Sequence, residues 1–174
     1  MKKLTIIATG LMMFLGTAVF ANGGEKKSAK ETSPIATSFG GTSATVNKAI
    51  SKSFTSTFSG AENVTWKQRE EFYFADFKVN QQDMFAAYNA EGELLGISRS
   101  LKLSQLPLHV EMSIRENYKN YKIDEIVTEM VLDGETTYHF QAEDNTRYVK
   151  LKADSNGYIS VVKRTKKKLV GKVY

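Results

Sequence analysis

Two stretches of the chain repeat apolar residues at three- and four-residue intervals, and that spacing predicts a helix in each. In the first, Val46, Ala49, Ile50, Phe54 and Phe58 share a face that leaves Lys48, Lys52 and Ser56 outward. In the second, Val110, Ile114 and Tyr118 do the same behind Pro107, whose missing N–H suits a first helical turn. After each helix the pattern changes to short aromatic and β-branched runs divided by polar turns, which reads as strands. The runs are 63–67, 71–79, 84–88 and 94–99, then 123–132, 136–142, 147–153 and 158–164.

The two series correspond. Ile50, Phe54 and Phe58 match Val110, Ile114 and Tyr118 at a constant offset of 60 residues. Phe77 and Phe85 match Phe140 and Tyr148 at 63, and the turns Asn89-Ala90-Glu91-Gly92 and Asp154-Ser155-Asn156-Gly157 match at 65, each closing on a glycine suited to a positive φ. Asp133-Gly134 marks a further hairpin. The expected fold is therefore α+β: a tandem duplication of a helix plus four-stranded antiparallel unit, with both helices on one face of a curved sheet of roughly eight strands. Repeat one covers about 45–103 and repeat two about 104–165.

Alternation within the strands assigns faces. Tyr73, Ala75, Phe77 and Val79 fall on one side of their strand and Phe72, Phe74, Asp76 and Lys78 on the other; Val149, Leu151 and Ala153 oppose Tyr148, Lys150 and Lys152. A sheet covered by helices on one side only then exposes aromatic rings among lysines, the composition of a protein-binding surface. The candidates are Phe72, Phe74, Tyr88, Tyr148 and Lys150, with cross-strand pairing that merely stabilises the sheet as the competing explanation. Trp66, the only tryptophan, reads as a packing residue.

The start of the chain adds a compartment. Lys2 and Lys3 precede an uncharged apolar run over residues 4–20, then Ala21 and a polar segment, the order of a secretory signal peptide over 1–21; an N-terminal anchor is the alternative. A lead-in rich in Gly, Ser, Thr and Lys follows over 22–44, and the domain occupies 45–174. The product is expected to be periplasmic or secreted, with no stable membrane span after cleavage. Cysteine is absent, which removes disulfides, thiolate metal sites and a cysteine nucleophile. Cleavage takes two lysines and no acid, so the formal charge falls from +5 to +3, too small an excess to argue for nucleic acid. Much of it lies in Lys163-Arg164-Thr165-Lys166-Lys167-Lys168, which reads as a solvated strand end and, over 166–174, a basic tail.

The run Phe58-Ser59-Gly60-Ala61-Glu62-Asn63-Val64-Thr65-Trp66, then Tyr88-Asn89-Ala90-Glu91-Gly92-Glu93-Leu94-Leu95, then Leu106-Pro107 opening the second helix, resembles the PepSY-like family described as β-lactamase-inhibitor-like proteins. The resemblance spans 46–164. It implies an exported, non-enzymatic domain of tandem α/β repeats, similar in architecture to secreted inhibitors that bind enzymes across a sheet face, and it brings no catalytic residues.

Catalytic chemistry has little to stand on. His109 and His139 are the only histidines, and neither H-E-x-x-H, G-x-S-x-G, a P-loop nor G-x-G-x-x-G occurs. Asp154-Ser155-Asn156-Gly157 lacks the distal ligands of a calcium loop. Glu70 and Glu71 are adjacent and point apart on an extended chain, which does not suit acid–base work. No metal and no cofactor is expected. The sequence thus points to a non-catalytic binding module, possible inhibition included, whose partner is another periplasmic or secreted protein. The alternative is a small-ligand or envelope-polymer binder using the groove between repeats and the basic C-terminal run.

Overall fold

The computed structural model describes residues 41–167. Its long elements follow the order expected from the pattern: helix α1 (Lys48–Thr57), strands β2 (Glu62–Arg69), β3 (Phe72–Val79), β4 (Gln82–Tyr88) and β5 (Leu94–Lys102), helix α2 (Leu108–Asn117), and strands β7 (Ile126–Leu132), β8 (Glu135–Glu143), β9 (Arg147–Asp154) and β10 (Ile159–Lys166). Two two-residue strands, β1 (Thr42–Ser43) and β6 (Lys122–Ile123), complete an open antiparallel sheet of ten strands in the order β1-β2-β3-β4-β5-β7-β8-β9-β10, with β6 attached to β8. The sheet is α+β in class and does not close.

Each helix forms where its sequence allows local groups to be satisfied. The Asn47 side chain accepts the Ile50 N–H at 2.9 Å, capping α1. Pro107 stands just outside α2 rather than in its first turn, its carbonyl accepting Val110 N–H at 2.9 Å and Glu111 N–H at 3.0 Å. Ile50 and Phe54 pack on Ala75, Phe77, Ala86 and Tyr88; Val110 and Ile114 pack on Val127, Phe140, Val149 and Leu151. Ile97 joins the first core and Leu101, four residues along the same strand and hence on the same face, joins the second. Both helices therefore cover one side of the sheet. The two cores meet at the β5–β7 seam, where the side chains of Arg99 and Glu129 form an ion pair between opposed residues.

Two boundaries differ from the sequence expectation. Thr42 and Ser43, placed in the lead-in, pair with Gln68 and Lys67 as an extra edge strand. The 123–132 run is broken at Asp124-Glu125, because Ile123 turns to pair Ala142 beyond the end of β7, while the Glu125 carbonyl accepts Leu103 N–H at 2.7 Å. The expected signal peptide over 1–21, the lead-in before residue 41 and the tail beyond Lys167 lie outside the described residues.

Candidate functional site

The side of the sheet away from the helices carries most of the residues singled out from the sequence, and its two halves differ. In the first half, Phe72, Phe74, Phe85 and Ala87 share that outer face. Phe74 and Phe85 stack at 5.6 Å between ring centroids, with Phe72 and Leu95 packed against them. Phe74 is 1% exposed. It has the orientation expected of it and none of the accessibility.

Tyr88 corrects the expectation outright. It is 0% exposed and faces α1, because Tyr88 pairs with Tyr73 and both sit on the helix side of their strands. Its ring lies 6.4 Å from Phe54 and 5.9 Å from Trp66. Burial pushes its phenol up to about 12, with the nearby Ser53 hydroxyl pulling the other way. Trp66 packs edge-on to Phe54 at 5.2 Å, the packing role its type suggested. The ambiguous signal was the run Ala86-Ala87-Tyr88, which is apolar at every position and carries no alternation to assign a face.

In the second half the outer face is formed by Thr137, His139, Gln141 and Glu143 of β8, Tyr148, Lys150 and Lys152 of β9, and Lys163 and Thr165 of β10. Tyr148 is 39% exposed and Lys150 is exposed, so these two candidates stand open together. Lys167 lies over the Tyr148 ring at 4.8 Å and bridges to Glu143 at 3.0 Å, so this part of the basic run is docked on the sheet rather than solvated. Along the seam between the halves, the buried hydroxyls of Ser98 and Ser100 have no hydrogen-bond partner.

The histidines take structural contacts. His109 Nε2 is 2.8 Å from the Ser155 carbonyl, tying α2 to the 154–157 turn. His139 is 3.1 Å from Thr137 Oγ1, and desolvation, with Lys152 alongside, lowers its pKa to about 4. Asp154 spends its carboxylate on the turn, accepting Asn156 and Tyr158 N–H, each at 2.9 Å. Asn89 does the same for Glu91 and Glu93 in the other half. Among the described residues no group of three or more acidic or histidine side chains could hold a metal ion, and no helix is long and apolar enough to cross a membrane.

A cleft of about 690 Å³ lies beyond the end of α2, lined by Lys102, Arg115, Lys119, Tyr118, Tyr121 and Glu125 among others. Arg115 is held by Glu111 at 2.8 Å. The sequence pattern gave no sign of this cleft, because its walls come from the loop before α2 and the segment after it.

No protein-family model matches the chain and no curated protein matches it in sequence. Solved structures do match. The chain is similar to a BLIP-like protein from Bacteroides fragilis, at 18% identity and TM-score 0.60 over 75% of this chain and 93% of that one. It is similar to a DUF2874 family protein from Bacteroides ovatus, at 20% identity and TM-score 0.61 over 71% and 89%. A protein from Bacteroides eggerthii, itself inferred to be periplasmic, matches at 14% identity and TM-score 0.60 over 71% and 90%. These likenesses define a BLIP-like fold.

Proposed function

We propose that this protein is an exported, non-catalytic binding module that engages another protein through the outer face of β8–β10. The observation that carries the reading is the open grouping of Tyr148 with Lys150, Lys152 and Lys163 on a surface the helices leave uncovered. The signal-peptide pattern and the periplasmic inference for one structural neighbour support export. The matched turns Asn89–Gly92 and Asp154–Gly157, each with a helix followed by four long strands around it, support a duplicated PepSY-like unit as the origin of the fold. Inhibition of an enzyme is one form such binding takes.

The test is site-specific capture. A photo-crosslinking phenylalanine analogue in place of Tyr148 is expected to trap a protein in intact cells, and the same analogue in place of Met112, exposed on α2, is expected to trap none. Equal capture at both positions, or capture at Met112 alone, overturns the reading.

A second reading, binding of a small anionic ligand, has the cleft of Lys102, Arg115 and Lys119 in its favour. Its weakness is that cations at the end of α2 already have a role against the helix dipole. A thermal shift with small polycarboxylates that disappears in Lys102→Ala would favour it.

A further inference from the structure

The outer-face lysines of the two halves are treated in opposite ways. On β2–β4, Lys67 is 3.4 Å from Asp76, and Lys78, paired in register with Asp83, is 2.6 Å from it. On β9–β10, Lys163 lies directly opposite Lys150, and Lys152 stands two residues along the same strand, about 7 Å away at the strand rise. None of these three has a carboxylate within ion-pair distance among the described residues. Directly opposed like charges in a sheet repel, so the arrangement works against the fold that holds it.

Two bland explanations are insufficient. Lysines on an outer strand discourage edge-to-edge pairing, and that accounts for Lys163 on β10. It does not account for Lys150 and Lys152, which sit on β9 between β8 and β10, where there is no edge to protect. Neighbours offer little compensation: His139, opposite Lys152, stays neutral, Glu143 is engaged by Lys167, and Asp154, next along the face from Lys152, gives its carboxylate to the N–H groups of Asn156 and Tyr158.

We infer that Lys150, Lys152 and Lys163 form a carboxylate-reading triangle, and that the partner at this face is a protein presenting an acidic, extended segment. This rests on the binding-module reading above. The lysines are point charges, and Arg164, opposite Val149, is turned to the helix side, so the fork geometry suited to phosphate is missing from the triangle. Tyr148, one position from Lys150 along its face, supplies an apolar anchor beside the charges. Acidic side chains at alternate positions of an extended segment repeat at the same interval as Lys150 and Lys152.

The experiment measures full-length exported protein against three probes: a fluorescent peptide alternating Glu and Val, polygalacturonate, and phosphatidylglycerol vesicles. The expected result is peptide binding that weakens by about tenfold as salt rises through the range where the Debye length contracts below about 8 Å. K163E, which sets a carboxylate opposite Lys150, is expected to weaken peptide binding at least about tenfold while leaving the melting temperature unchanged or raised. A lowered melting temperature would mean that the lysines serve the fold. Binding by vesicles or polygalacturonate without the peptide, or peptide binding indifferent to K163E and to K150Q/K152Q, overturns the inference. Capture from position 148 that survives K163E would leave the binding module standing and remove its acidic specificity; loss of capture in the unmodified protein would remove both.

Discussion

The two halves of the outer sheet face are built on the same strand lattice and end in opposite states. Across β2–β4 rings and charges are matched within the sheet: Phe74 stacks on Phe85, and Lys67 and Lys78 find Asp76 and Asp83. Across β8–β10 the matching is partial: Lys167 covers one side of the Tyr148 ring and takes Glu143, while Lys150 faces Lys163. A surface that has used up its own ring stacking and charge pairs has little left for a partner, which is why the proposed binding is assigned to the half that is left incomplete.

The sharpest way to break that contrast is to truncate one ring on each side. Phe74→Ala removes a buried ring and is expected to cost about 3–5 kcal/mol, whereas Tyr148→Ala should stay within about 1 kcal/mol; urea denaturation of the two variants measures both. Comparable losses would mean that both halves are structural.

Acid sharpens it next. His139 is the titratable group held neutral inside the basic half, with a folded pKa near 4 against an ordinary 6.5. Because the unfolded chain binds the proton first, stability is present above about pH 6.5 and falls as pH drops toward 4, by roughly 3 kcal/mol at most. Stability measured at pH 7 and pH 4.5 in His139→Gln should show that slope flattened. Asp144 is also depressed, to about 2, by hydrogen bonds from Thr146 first and then Arg147, so its contribution is lost only at more acid pH.

The matched turns give a smaller contrast. Gly92 and Gly157 both sit at φ +84°, yet a Cβ on Gly92 would meet the Ala49 carbonyl carbon at 2.8 Å while one on Gly157 would find Ser113 Cβ at 3.4 Å. Gly92→Ala is expected to lower stability by about 1–3 kcal/mol more than Gly157→Ala, read from the difference in melting temperature. Smallest is a gain. The β3–β4 turn places Gln81 at φ +63° where the β7–β8 turn has Gly134 at φ +80°, so Gln81→Gly should stabilise by up to about 1 kcal/mol in the same assay.

These residues also mark what the sequence could reveal. Helix periodicity, the Gly-closed turns and the alternation of β3 and β9 placed both helices, all eight long strands and the orientation of Phe74, Tyr148 and Lys150, because each is a local signal. Accessibility is not local. Phe74 is buried although its strand position faces away from the helices, and Tyr88 sits in a run with no polar position to orient it. The lysine triangle needed the β9–β10 register, which the bulge between Val161 and Lys163 shifts by one residue and no spacing in the sequence announces.

The seam carries a consequence in time. Every other long strand pairs with the strand next to it in the chain, but β5 reaches β7 only after the connection from Lys102 to Ile126 has folded through α2. Six hairpin-like contacts can therefore form early and independently, while the joint that makes one sheet of them waits on the longest loop closure. The expected signature is a pair of nuclei and low φ-values at Leu101 and Val131; high values there would place the seam first. A chain emerging N-terminus first would then have one half able to close before the half proposed to bind exists.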